Sequence, residues 1–271
     1  MNGASREALA AARERLDALT DATSVNAAQL ADELAAVTAL LDREVSLRRV
    51  FTDPAQAGEA KAQLVQRLLG GQVGGETADL LAGMVRSRWS QSRDLVDALE
   101  ELANTADLTA AQQAGTLDDV EDELFRFGRI VSGSTELRAA LTDRKATTAA
   151  KSELLRSLLG GRAKATTERL VTRLVTAPRG RSLEAGLESL SKLAAERRDR
   201  MVAVVTSAVP LSDPQKQRLG AALAKLYGRR MHLNLDVDPA VLGGIRVQVG
   251  DEVINGSVAD RIEDAQRRLA G

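Results

Sequence analysis

Residues 47–71 read LRRVFTDPAQAGEAKAQLVQRLLGG, and residues 137–161 read LRAALTDRKATTAAKSELLRSLLGG. The two stretches align without a gap at an offset of 90, and 11 of their 25 positions are identical. An internal repeat of this kind sets the architecture before any single element is assigned. The correspondence runs outward as pattern. Upstream, Leu30, Leu34, Val37, Leu40 and Leu41 fall on Val120, Leu124, Phe127, Ile130 and Val131. Downstream, Thr77, Leu80, Leu81, Met84 and Val85 fall on Thr167, Leu170, Val171, Leu174 and Val175. Apolar residues spaced by three and four mark one face of a helix. The first two thirds of the chain is therefore a duplicated all-helical unit.

The first copy reads as helices over 5–21, 26–45, 54–69, 76–89 and 92–113, the second as helices over 117–132, 146–159, 165–177 and 181–199. Asp53 before Pro54 has the form of an N-cap with proline in the first turn. Gly70-Gly71 stops a helix, and Gly115 ends the one before it. Moving the first helix forward by 90 places Leu9 and Ala12 on Leu99 and Leu102. The helix over 95–114 is thus expected to close copy one and open copy two, joining them as a rigid tandem.

At Met201 the pattern changes. Met201–Val205 is short and rich in valine; Ser212 and Gln215 form a capping box opening a helix from Pro214 to Tyr227. Met231, Leu233, Leu235 and Val237 alternate as in a half-buried strand. Ile245–Val249 and Glu252–Ile254 flank Gly250-Asp251 as a hairpin, and Ser257, with Asp260, caps a last helix over 258–269. The expected fold is mainly α: a bundle over 1–105, a second over 106–200, and a small β-α-β-β-β-α domain over 201–271.

Composition narrows the chemistry. Lys and Arg number 37 against 38 Asp and Glu, for a net charge of −1. Such a chain has no global field to hold nucleic acid or an anionic membrane. The 271 residues include no cysteine, one histidine and one tryptophan, and aromatics make up 2%. Disulfides, thiolate sites and a cysteine nucleophile are excluded, and the core must be built from Leu, Val and Ala. No leader and no membrane-spanning run is evident. His232 alone cannot assemble a metal site and reads as solvent-facing on its strand. Gly70-Gly71 and Gly74-Gly75 lack the Gly-Lys-Ser/Thr of a phosphate loop. Trp89 among Arg86, Arg88 and Arg93 reads as a packing residue beside a solvated face rather than a base-stacking platform, because Arg179 replaces it in copy two. Neighbouring acids such as Asp118-Asp119 lie along exposed helix faces. A catalytic site would need polar groups converging near His232, Arg246 and Asp251. No catalytic, cofactor or metal residue is expected; amphipathic helices in tandem fit an adaptor that takes other helices into its grooves.

The stretch from Val237 to Val258, VDPAVLGGIRVQVGDEVINGSV, followed by Arg261 and Ile262, resembles the C-terminal signature of ATP synthase delta subunits, the relatives of the oligomycin-sensitivity-conferring protein. Its marks are Gly243, Gly244, Ile245 and Arg246, then Gly250 and Asp251, then Gly256, Ser257 and Arg261. Residues 115–271 are similar to the family's usual length and order, and the extra helical copy resembles the long form of high-GC actinobacteria. The resemblance implies a non-catalytic stator subunit of an F-type ATP synthase on the cytoplasmic face of the membrane. Its helical part would bind the N-terminal helices of the alpha subunits, and its C-terminal domain the end of the b subunit. On that reading the signature residues frame a stalk-facing domain. Leu9, Leu16, Leu80 and Met84 are expected on helix faces turned toward the head, and neither copy is singled out for that role. A helical-repeat adaptor unrelated to ATP synthase is the alternative.

Overall fold

The computed structural model describes residues 1–21, 25–198, 201–227, 231–238, 241, 244–249 and 252–255. The chain forms two compact units, 1–197 and 198–271.

The helical unit opens with α1 (Gly3–Asp21), α2 (Ala27–Arg43), α3 (Val45–Thr52), α4 (Gly58–Leu69), α5 (Gly75–Arg86) and α6 (Ser92–Gln113). It continues with α7 (Leu117–Gly133), α8 (Thr135–Thr142), α9 (Thr148–Leu159), α10 (Ala165–Thr176) and α11 (Leu183–Arg198). The starts of α7, α8, α9 and α10 lie 90 residues beyond those of α2, α3, α4 and α5. The first core is built on Leu16, Leu34, Leu41, Phe51, Leu80, Met84, Leu95 and Leu99, the second on Val120, Leu124, Phe127, Leu155, Leu170 and Leu187. Helix α6 serves both: Leu95 to Ala106 belong to the first core, Leu108 and Ala111 to the second. It ends at Gly115, whose φ is +67°.

Two local devices recur at the same offset. Neither α5 nor α10 has a capping side chain of its own. Instead Glu33 of α2 accepts from the Gly74 N–H at 2.9 Å and from the Thr77 hydroxyl. Glu123 of α7 accepts from the Lys164 N–H at 2.9 Å and the Thr167 hydroxyl at 2.5 Å. A carboxylate borrowed from a neighbouring helix thus satisfies orphan donors and faces the positive end of the helix dipole. It also ties α2 to α5 and α7 to α10. The Asp53 carboxylate accepts from the Ala55 N–H at 2.9 Å and Asp143 from the Lys145 N–H at 2.8 Å.

That second device corrects an expectation. Asp53 does not cap a helix beginning at Pro54: it closes an Asx turn after α3, and α4 starts at Gly58. The short helices α3 and α8 escaped the sequence reading, which ran one helix to residue 45 and left 133–145 unassigned. At eight residues each they are too short for a legible period.

In the second unit, β1 (Met201–Ser207) leads through α12 (Asp213–Tyr227) to β2 (Met231–Val237), then β3 (Ile245–Val249) and β4 (Glu252–Asn255). The sheet order is β2-β1-β3-β4. β1 and β2 are parallel, with Val205 opposite Leu235, and α12 supplies the crossover such a pair requires. β3 is antiparallel to β1 and to β4. Ala203, Val205, Leu223, Val247 and Val249 form the core. At the start of α12, the Gln215 side chain accepts from the Ser212 N–H at 2.9 Å, the reach-back half of the expected capping box. The expected last helix over 258–269 lies outside the described residues.

Candidate functional site

Among the described residues no three His, Cys, Asp or Glu side chains gather as a metal site would need. No described helix is long and apolar enough to cross a membrane. Among the described residues, most of the buried charges instead converge on α6. Asp97, Glu100, Asn104 and Asp107 recur along this helix at three- and four-residue steps, so they share one face. Arginines of the second bundle meet them. The fully buried Asp107 carboxylate takes Arg169 at 2.6 Å and Arg173 at 2.9 Å, and Arg173 also donates to the Asn104 side chain at 2.8 Å. Glu100 takes both Arg179 and Arg181, and Arg179 also donates to the Val96 carbonyl at 3.3 Å. Toward its C-terminal end the same helix offers Gln112 to Arg197 at 2.6 Å, and Arg197 continues to Asp17 of α1 at 3.0 Å. Gln113 donates to the Thr20 carbonyl at 3.0 Å.

Burial pushes the Asp107 carboxyl above its ordinary value, and the pull of Arg173 and Arg169 offsets only part of that. A pair held this way adds little net stability over an apolar substitute, but losing one partner strands a buried charge. The latch therefore specifies how the bundles meet. The apolar repeat leads sequence reading to expect a shared helix here. That reading missed the acidic stripe, although three- and four-residue spacing of acids inside a mostly apolar helix was a visible signal.

Two depressions open on the second bundle. One, of about 880 Å³, lies between α8, the N-terminal end of α9 and the α10–α11 connection. The other, of about 370 Å³, runs between α7 and α11 beside Phe125, which is 58% exposed.

Leu9, Leu16, Leu80 and Met84, expected on partner-facing helix faces, are core residues of the first bundle. Their faces are turned inward because α1 and α5 pack on each other and α1 on α6; the apolar periodicity that suggested a docking face was the core stripe. Trp89 is 5% exposed and its Nε1–H donates to the Met84 carbonyl at 2.8 Å, so it is a packing residue. Arg86 pairs with Glu59 at 3.0 Å. Of the signature residues, Gly244 has φ +106°, a backbone region where L side chains are strained. Ile245 packs against the sheet's core, and Arg246 is exposed on β3, in register with Thr206 and Asn255. Gly243, Gly250, Asp251, Gly256, Ser257 and Arg261 lie outside the described residues. β3 and β4 pair on either side of residues 250–251, with Val249 opposite Glu252. His232 is in register with Val202, and its side chain is also outside the described set.

Tandem bundles fused through one ion-paired helix, with a small α+β unit after them, define a structural adaptor. The family model for the ATP synthase delta (OSCP) subunit matches this chain twice, over residues 17–109 and 105–269, and the two matches overlap inside α6. ATP synthase subunit delta of Streptomyces coelicolor is 84% identical, with 100% of this chain and 98% of that protein covered. The subunit of Thermobifida fusca is 49% identical, with 100% of each covered. A chain of the Toxoplasma gondii mitochondrial ATP synthase hexamer is 25% identical, with 62% of this chain and 95% of that chain covered, at a TM-score of 0.28. The chain belongs to the ATP synthase delta (OSCP) subunit family. It is a non-catalytic stator component of that membrane-bound complex, a linker in the peripheral stalk, and the unrelated-adaptor alternative is set aside.

Proposed function

We propose that this chain holds the catalytic head through its helical part and the peripheral stalk through residues 201–271, on the cytoplasmic face of the membrane. The head partner is the set of alpha-subunit N-terminal helices, and the stalk partner is the end of the b subunit. The three segments are a first bundle over 1–105, a second over 106–200 and the small α+β domain, with α6 common to the bundles.

The observation that carries this reading is the double match to the delta family joined through α6. A stator must resist rotor torque without turning over any substrate, and what it needs is stiffness between its attachment points. A helix that belongs to two cores and is ion-paired to the second supplies that stiffness within the helical unit. Grip spread over two bundles lowers the off-rate by linking one contact to the next. Gly243, Gly244, Ile245, Arg246, Gly250, Asp251, Gly256, Ser257 and Arg261 are the frame of the stalk-facing domain. On the head side the exposed margins of α1 and α5 around Leu9, Leu16, Leu80 and Met84 form the docking area, those four acting from beneath it.

The test is affinity isolation of the tagged full chain from detergent-solubilised native membranes. Recovery of alpha, beta and b is expected. A version ending at residue 200 is expected to keep alpha and lose b. Retention of b by that shorter chain, or a partner set without alpha, contradicts the proposal.

A further inference from the structure

The two copies treat one corner of their bundles differently. In the first, α4 lies directly against the end of α5: a Cβ on Gly58 would stand 3.2 Å from the Arg86 Cα and 3.2 Å from its carbonyl oxygen. Any larger residue there would have to push the Arg86 backbone back by a few tenths of an ångström. The equivalents in the second are Thr148 and Thr176, and both line the 880 Å³ cleft. In the first copy the chain also fills its own corner, with the Trp89 indole buried and bonded to the Met84 carbonyl. In the second, Arg179 stands in place of Trp89 and is drawn away to Glu100. The carbonyl equivalent to Met84 belongs to Leu174, another cleft residue. Pro178 has no N–H to offer it, and the Ala177 N–H goes to Arg173.

The walls have a definite charge. Arg138, Arg144, Lys151 and Arg181 line the cleft against one acid, Glu184. Arg181 is held by Glu100 and Arg138 lies 3.6 Å from Glu184, whereas Arg144 and Lys151 take part in no ion pair among the described residues. The floor is apolar, with Leu141, Leu174, Val175 and Leu183.

We propose that this cleft is a docking site for an acidic segment of a partner protein that inserts one large aromatic side chain. The aromatic ring takes the place that Trp89 fills in the first copy, with an N–H toward the Leu174 carbonyl, and flanking carboxylates pair with Arg144 and Lys151. Aromatic anchors with a polar tip suit such half-dry sites. The site is independent of the head and stalk attachments proposed above.

The test titrates the isotope-labelled full chain with a capped octapeptide of Asp and Glu residues carrying one central Trp, followed by NMR. Saturable shifts are expected at Thr148, Lys151, Thr176 and Gly180. A twin peptide with Ala for Trp should bind at least tenfold more weakly. So should the wild-type peptide with the Arg144→Glu/Lys151→Glu variant, whose melting temperature should be unchanged because neither side chain supports the core. Thr148→Gly, which lets α9 settle on α10 as α4 does on α5, should also weaken binding. Absence of saturation at millimolar peptide, shifts elsewhere, equal binding of the Ala twin, indifference to the charge reversals, or stronger binding of inorganic pyrophosphate than of the peptide would each overturn the proposal.

Discussion

The two helical copies descend through the same helices in the same order, yet they are joined and closed by different chemistry. In the first, α1 meets α5 and α6 mainly through Leu9, Leu16, Leu80 and Met84, with the buried Ser5–Asp94 hydrogen bond and the Arg13–Glu101 ion pair at its polar side. In the second, α6 takes the place that α1 holds in the first and meets α10 largely through Asp107, Asn104, Arg169 and Arg173. The positions 90 residues before Arg169, Arg173, Arg179 and Arg181 are Asp79, Gly83, Trp89 and Gln91, none of them basic. One helix face can serve only one core. Helix α6 turns Leu95, Leu99 and Leu102 to the first bundle and gives the second only Leu108 and Ala111, so much of the second's hold on it is through charge. The lesson is an asymmetry of dependence: the first bundle owns α6 by packing, and the second borrows it.

Breaking the latch should show the largest effect. Asp107→Ala leaves Arg173 with Asn104 as its remaining partner and Arg169 to solvent, and is expected to cost the second bundle about 3 kcal/mol, read by hydrogen exchange of 165–176, while Trp89 fluorescence of the first bundle keeps its urea midpoint. Equal loss in both bundles would erase the asymmetry. Gly244→Val forces a β-branched residue into φ +106° and is expected to cost the C-terminal unit about 1–3 kcal/mol, with the helical unit unmoved; exchange of β3 amides reads it.

The borrowed caps are the mildest probe and the one place where the copies should agree. Glu33→Gln and Glu123→Gln are each expected to cost about 1 kcal/mol, measured by urea denaturation. Burial raises the Glu33 carboxyl, but bonds from Thr77, Gln29 and Gly74 outweigh it and hold the group below its ordinary value. Its folded pKa is depressed, so its contribution is fully present above the unfolded value of 4.5 and is lost as pH falls through the lower folded value. The stability gap between wild type and Glu33→Gln should shrink on acidification below pH 4.5. A pH-independent gap would mean that the carboxylate charge plays no part.

The repeat at offset 90 made the duplication and most helix spans legible, because three- and four-residue apolar spacing survives even where identities do not. The sheet of the C-terminal unit was legible for a similar reason: alternation in Met231–Val237 and the valine-rich Met201–Val205 are period-two signals. What stayed hidden depends on partners distant in sequence. Asp53 before Pro54 satisfies a capping rule locally, and only the turn geometry shows that it belongs to α3. Leu9, Leu16, Leu80 and Met84 form an apolar face, and sequence cannot say whether such a face meets its own chain or another. Glu33 and Glu123 cap helices 41 residues away, and Asp107 finds Arg169 and Arg173 62 and 66 residues on.

The dependence of the second bundle on the first is tested most directly with Leu34→Ala, a fully buried position that belongs to the first core and not to the second. Hydrogen exchange followed by mass spectrometry across a urea series would compare peptides from α2 and α10 in the full chain. The account predicts that the loss of about 2–5 kcal/mol in the first bundle lowers the urea midpoint of both peptides together, because unfolding the first core releases α6. A lowered midpoint for α2 with α10 unchanged would contradict it, and would make the helical unit two independent bundles rather than one strut.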